Sequence, residues 1–382
     1  MDLLSVRKNV LGLICLVITA GIILAGLWPF NFSPENKVRW LQNQNGVQFY
    51  GQAIIYSTIP LFQSSIIFPP PAPYSLHPFS IELCLQPTTE SSSHMGHIFS
   101  ILDEQGSETF FVGQWRFHLI LGKGIHGRKT YREVGIRDAL KKGDKRFIAI
   151  TSGVDGTNIY VDGILLKSSP RFHLFPMNEK PSGKILLGNS PKGGEYWTGN
   201  LLSLAIYDRV LTGEEVSQHF PQHLPQHLHG PKKSGEERPV SLYLFDEHSG
   251  TLAHDSVGSH HLLMPSRFKV LKKTILVPPW EDFRFTRSYL MDVITNILGF
   301  IPFGFFLSAY LRLRKPASIY RILFISVLVA GCISLSIELI QVYLPTRSSQ
   351  LTDVITNISG AALGVILSNF YQRRSIQSFL KI

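Results

Sequence analysis

The sequence predicts a mixed fold: a four-span α-helical membrane bundle with an inserted all-β sandwich of the jelly-roll kind. Three observations predict it. Four long apolar runs occupy residues 10–27, 289–311, 322–344 and 354–370, and a bilayer core about 30 Å thick needs roughly 20 apolar residues of helix. Between the first and second runs the texture changes to short alternating segments separated by turn signals. Finally, Asp292-Val-Ile-Thr-Asn296-Ile297-Leu-Gly299 returns, offset by 61 residues, as Asp353-Val-Ile-Thr-Asn357-Ile358-Ser-Gly360. In both copies Asp and Asn are four apart, so a helix stacks them on one face. Both copies open an apolar run, so both enter the membrane from the same side.

The first run follows Arg7-Lys8 and ends in Trp28-Pro29. Its length and its lack of a small-residue cleavage site predict an uncleaved anchor rather than a signal peptide. Residues 31–270 then read as the sandwich, with its core at about 75–220 and return strands at 240–270. Phe79-Ser-Ile81-Glu-Leu83-Cys-Leu85 alternates at period two. Segments 146–152, 158–161, 184–188, 201–207 and 241–245 are further strand candidates. Asp155-Gly156 and Asp162-Gly163 supply tight-hairpin chemistry. Thr212-Gly-Glu-Glu215 has capping-box spacing and predicts one short helix. Pro221-Gln-His-Leu, repeated at Pro225, begins a polar loop. Its His223, His227 and His229 lack partner ligands and are not expected to hold a metal. Residues 271–288 form a juxtamembrane segment, 289–372 the remaining three spans, and 373–382 a tail.

Formal charge is +10. Residues 35–275 hold 25 Lys/Arg against 21 Asp/Glu, and the remainder holds 12 against 6. The excess therefore lies around the spans. No basic stripe with interleaved aromatics appears, so nucleic acid is not an expected partner. Arg7, Lys8, Arg312, Arg314, Lys315, Arg321, Arg373 and Arg374 all fall on one side of an alternating four-span path. The positive-inside rule makes that side cytoplasmic, with both termini, and makes residues 31–288 extracytoplasmic. Lys272, Lys273, Arg284 and Arg287 then lie outside, beyond the reach of that rule because they follow a long external domain. Cys15, Cys84 and Cys332 show no metal or CxxC spacing and read as packing residues.

The sandwich segment resembles the laminin-G-like, concanavalin-A-like jelly rolls. The matching pieces are Phe79-Ser-Ile-Glu82, Ile159-Tyr-Val-Asp-Gly163, Ile185-Leu-Leu-Gly-Asn189, Trp197-Thr-Gly199 and Leu204-Ala-Ile-Tyr-Asp-Arg209 running into Leu211-Thr-Gly-Glu-Glu-Val216. The likeness implies a fold and not a ligand. Sugar hydrolases of this shape carry Glu-x-Asp-x-Glu on one strand. Glu82 stands without such neighbours, so hydrolysis is not expected. Trp115, Tyr131 and Trp197 are candidates for stacking on sugar or for packing the core. Asp103-Glu104 and Asp246-Glu247 are weak candidates for calcium, and no other cofactor is expected.

Spans two to four resemble the VanZ-like family. The residues that carry the likeness are Asn296-Ile-Leu-Gly-Phe-Ile-Pro-Phe-Gly304, Glu338-Leu-Ile-Gln341, Arg347, Asp353-Val-Ile-Thr-Asn357 and Gly360-Ala-Ala-Leu-Gly364. The family is named for a member tied to tolerance of a glycopeptide antibiotic, so the resemblance implies an envelope context. The large insert after span one departs from the short family pattern. Polar groups in membrane helices read as functional by default. Asp292, Asn296, Glu338, Gln341, Arg347, Asp353 and Asn357 are thus expected to gather in a polar pocket at the outer leaflet, with Arg347 in reach of Glu338 or Asp353. A structural reading competes, in which these groups satisfy one another and fix helix packing. Gly360 and Gly364 mark close helix contact.

Two functions follow. The first is an envelope protein whose external jelly roll binds glycan or a protein partner. The second is an enzyme or transporter acting on a lipid-linked sugar at the membrane pocket. Membrane lipid is a partner in both.

Overall fold

The computed structural model describes residues 3–61, 77–124, 131–175, 183–220, 238–283, 285–314 and 317–379. The polar-loop histidines His223, His227 and His229, together with Arg284, Lys315 and the side chains of Tyr131, Arg373 and Arg374, lie outside the described set. The chain forms two compact units, residues 34–272 and residues 1–33 with 273–382.

The first is a two-sheet sandwich. Its strands are β1 (Val38–Trp40), β2 (Val47–Phe49), β3 (Ile55–Ser57), β4 (Phe79–Pro87), β5 (Ser91–Leu102), β6 (Glu108–Arg116), β7 (His118–Gly124), β8 (Tyr131–Ile136), β9 (Arg146–Gly153), β10 (Gly156–Val161), β11 (Ile164–Ser169), β12 (Lys184–Leu187), β13 (Gly199–Tyr207), β14 (Ser241–Tyr243), β15 (Leu252–Ala253) and β16 (Leu262–Leu263). One sheet runs β1-β2-β13-β4-β9-β10-β11, with β14 also on β13. The other runs β15-β16-β3-β12-β5-β6-β7-β8. Ile81, Leu83 and Leu85 of β4 and Phe110 and Val112 of β6 fill the core between them. The Asp-Gly pairs turn the hairpins: Gly156 joins β9 to β10, and Asp162 and Gly163, both at positive φ, join β10 to β11.

Helix α2 (Gly213–His219) carries the expected capping box, with Thr212 and Glu215 bonded reciprocally. Arg209 holds the Glu215 carboxyl down to about 2, assisted by the Thr212 N–H. The helix covers a second apolar cluster on the outer face of β4, β9 and β13, where Val216 packs near Tyr160, Ala205 and Tyr207.

The second unit holds four long apolar helices. They are α1 (Leu3–Leu27), α4 (Arg287–Arg314), α5 (Ile319–Gln341) and α6 (Leu351–Phe379), with the one-turn α3 (Pro279–Asp282) ahead of α4. α4 and α6 pack most closely because glycines replace side chains between them. A Cβ on Gly360 would strike the Ile297 carbonyl, one on Gly364 the Ile301 carbonyl, and one on Gly304 the Ala361 carbonyl. Farther along, Ser308 meets Ser368 and Arg312 donates to Asn369 at 2.8 Å. Partners advance together along both helices, so α4 and α6 are parallel. The end of α1 meets the end of α5, through Gly26 and Ile337, while Gly12 meets Tyr310 near the end of α4. α1 therefore runs with α5 and against α4, as four consecutive crossings require.

Candidate functional site

In a bilayer the last backbone carbonyls and first N–H groups of each helix have no water inside the hydrocarbon to turn to. Three of the seven candidate pocket residues answer that need. Glu338, buried on α5, accepts the Gln350 N–H at 2.7 Å just before α6 begins. A carboxylate there also faces the positive end of the α6 dipole. Gln341 donates to the Gly26 carbonyl at 2.8 Å, at the end of α1. Arg347 donates from Nε and Nη2 to the Trp28 carbonyl, at 3.2 and 3.0 Å. Its guanidinium is thus directed to α1's exit rather than to Glu338. The 349–351 turn is bound in its own right, with Val277 N–H donating to Ser349 O and Leu351 N–H to Val277 O, both at 2.9 Å.

The other four divide by copy of the repeat. Asn357 is buried and donates to the Ser334 hydroxyl at 2.8 Å, which ties α6 to α5. Its Oδ1 has no partner among the described residues. Asp353 is half-buried in the first turn of α6. In α4, Asp292 is exposed and Asn296 half-exposed. The structure therefore brings Glu338, Gln341 and Arg347 to one end of the helices, and leaves Asp292 on an open face.

In the sandwich the three aromatic candidates part company. Trp197 is core, 1% exposed, with its indole N–H donated to Gln114 Oε1 at 2.8 Å. Trp115 is 42% exposed at the β6–β7 hairpin tip, with the Arg116 guanidinium 5.1 Å from its ring centroid. Tyr131 has no described side chain. Glu82 is fully buried and engaged, accepting from the Tyr207 hydroxyl at 2.9 Å and lying 2.8 Å from His219 Nδ1. It fastens α2 to the sheet. His97 lies 2.9 Å from Glu108 and 3.5 Å from Glu195. Burial disfavours its charged form, but those carboxylates outweigh burial and raise its pKa. For His219, too, burial is outweighed, here by Glu82, and its pKa rises.

Asp103 Oδ1 accepts the Gln105 and Ser107 N–H groups of its own turn. Glu247 accepts the His254 N–H. Among the described residues no three His, Cys, Asp or Glu side chains converge as metal ligands.

A groove of about 530 Å³ runs along the β1–β2 edge, lined by Arg39, Trp40, Gln42, Gln48 and Met264 among others. Arg39 Nε donates to Gln48 Oε1 at 2.8 Å, which holds both planar groups side by side. The Arg39 guanidinium also lies 5.4 Å from the exposed Tyr50 ring centroid. Gln42 is steadied by the His248 carbonyl at 3.2 Å. Nothing in the sequence reading pointed here, because three-residue strands give no alternation to detect.

Residues 240–372 match the VanZ/LLP1 family model. Residues 63–217 match that of the concanavalin A-like lectin/glucanases superfamily. The chain joins a VanZ-like region to a laminin-G-like jelly roll. The VanZ-like match begins before β14, so it takes in the last three strands as well as α3 to α6. With its four apolar helices, the chain is a membrane protein.

No curated protein matches. Among solved structures the chain is similar to a heptameric SAP-like pentraxin from Limulus polyphemus, at 16% identity over 48% of this chain and 82% of that one, with TM-score 0.33. It is similar to the botulinum neurotoxin serotype D binding domain, at 14% identity over 50% of each chain, with TM-score 0.36. A third is the Ruminococcus gnavus IT-sialidase CBM40, at 13% identity over 38% of this chain and 83% of that one, with TM-score 0.32. The chain spans half the length of the neurotoxin domain. Likenesses at these TM-scores carry no argument about what the chain does.

Proposed function

We propose that this chain is a multi-pass cell-envelope protein whose jelly roll, held outside the membrane, binds glycan, while the VanZ-like helices anchor it. The β1–β2 groove carries the reading. Sugars present in-plane hydroxyls and an apolar C–H face, so they are met by planar hydrogen-bonding groups beside aromatic surface. The groove supplies the planar groups, the Arg39 guanidinium and the Gln42 and Gln48 amides, and the exposed Tyr50 ring beside Arg39 supplies the aromatic surface, while the lining Trp40 and Met264 are almost wholly buried. Its volume lies within the roughly 300–1,000 Å³ of small-ligand sites. An outside location fits the Lys/Arg residues that cluster beside the opposite helix ends.

The polar helix cluster supports an anchoring role, because Glu338, Gln341 and Arg347 each bond a backbone group at a helix end. The test is a glycan array probed with the purified full-length protein in detergent. We expect binding that falls at least tenfold in an Arg39→Ala, Gln48→Ala double variant of unchanged Tm. Absence of glycan binding, or binding indifferent to the groove, overturns the proposal.

A further inference from the structure

The β1–β2 groove is one end of a longer polar row. Arg39 on β1 pairs in register with Gln48 on β2, Gln48 with Asn200 on β13, and Asn200 with Gln86 on β4. Residues paired across neighbouring strands share a face. Their chain neighbours Trp40, Val47, Leu201 and Leu85 fill the core, so the four polar side chains stand on the outer face of this sheet. Hydrogen bonds align them. Arg39 Nε donates to Gln48 Oε1 at 2.8 Å, Asn200 Nδ2 to Gln86 Oε1 at 3.1 Å, and Gln86 Nε2 to the Gly143 carbonyl at 2.8 Å. Arg39 is exposed, and Gln48 and Gln86 are half-exposed.

The row breaks between Gln48 and Asn200. Asn200 is 8% exposed, and its Oδ1 is buried with no partner among the described residues. A buried acceptor left without a donor is costly, so a ligand that brings a hydroxyl to it gains more than it would at a solvated group. Strands lie about 4.8 Å apart, so the row from Arg39 to Gln86 spans about 14 Å. One sugar of an extended chain advances by close to one strand spacing. At the Arg39 end the exposed Tyr50 ring offers an apolar face, with Lys37 Nζ 5.7 Å and the Arg39 guanidinium 5.4 Å from its centroid.

We infer that this row is a track for an unbranched, equatorially linked glycan chain of about three sugars or more, lying across the strands. The inference rests on the glycan reading above, and it adds the shape of the ligand and the residues Asn200 and Gln86 to that site. A single sugar reaches only the β1–β2 end. A chain seated on Tyr50 and Arg39 carries its next sugars over the gap between Gln48 and Asn200 and on to Gln86. A hydroxyl at the gap donates to Asn200 Oδ1 and accepts from Gln48 Nε2. Equatorial linkage keeps the chain an extended ribbon, which a straight row of planar amides requires. A bent or branched chain leaves the row after its first sugars.

Titration of the full-length protein in detergent with the one- to six-unit series of β-1,4-linked glucose and of β-1,4-linked N-acetylglucosamine tests this. For at least one series, affinity should rise at least tenfold from one unit to three and level off beyond four. Asn200→Ala and Gln86→Ala should each lower three-unit affinity at least fivefold at unchanged Tm. Should Asn200→Ala lower Tm, the half-exposed Gln86 carries the test. Trp115→Ala, at an exposed hairpin tip of the other sheet, should change nothing. One-unit binding as tight as six-unit binding, or three-unit binding indifferent to both variants, overturns the inference. So does failure of both series to bind while the glycan array shows other ligands at the groove, a result that leaves the broader reading standing. No glycan binding on the array removes both.

Discussion

In the helical unit the buried Glu338 carboxylate accepts a backbone N–H. In the sandwich the buried Glu82 carboxylate accepts a tyrosine hydroxyl and sits against a histidine ring. Sheet ladders already satisfy most backbone groups of the sandwich, so its interior polar side chains are left to tie distant segments together: Glu82 to α2, and His97 to Glu108 and the loop at Glu195. Helices crossing a bilayer have open backbone groups at their ends and no hydrocarbon-side water to meet them. Glu338, Gln341 and Arg347 go there. A carboxylate in a membrane helix is thus weaker evidence of chemistry than its rarity suggests, until its backbone neighbours are counted.

The contrast can be broken in several places. The largest effect is expected where backbone meets backbone. Gly304→Leu drives a side chain into the Ala361 carbonyl and should cost roughly 3 kcal/mol or more, seen as loss of monodisperse protein on size exclusion. Next is Glu82→Leu, which leaves Tyr207 and His219 without their acceptor. A loss of about 2 kcal/mol is expected, read by thermal unfolding, with Glu82→Gln less damaging because an amide oxygen still accepts.

The third concerns pH. His97 and His219 both have pKa values raised in the fold above the ordinary 6.5. Their contribution is complete below 6.5 and disappears as pH climbs through the raised values. The sandwich Tm should therefore fall on going from pH 6.5 upward, and less so in a His97→Gln, His219→Gln variant. The smallest is Thr212→Ala, which removes one half of the capping box at about 1 kcal/mol. Because Arg209 holds the Glu215 carboxyl down to about 2, its contribution to that helix end should be complete above 4.5 and be lost progressively as pH falls from 4.5 toward 2.

Much of the fold could be read in the sequence, since long apolar runs, Asp-Gly hairpins and the Thr212 capping box are local signals. Ile81, Leu83 and Leu85 announced a strand because one face of β4 is core. The short β1, β2 and β3 announced nothing, and the groove is built on the first two. In the helices the polar residues were visible, but their partners were not. Glu338 reaches an amide 12 residues on, and Gln341 reaches a carbonyl 315 residues back, distances that no local pattern encodes. Trp115 and Trp197 looked alike in sequence, and only burial separates them.

The most direct measurement sets the two regions against each other in folded protein. Glycan binding is compared for Arg39→Ala, Gln48→Ala and for Glu338→Gln, each at matched membrane level. The account predicts that binding is lost in the groove variant and kept with Glu338→Gln. Binding kept in the groove variant and lost with Glu338→Gln would place the function in the helices and contradict it.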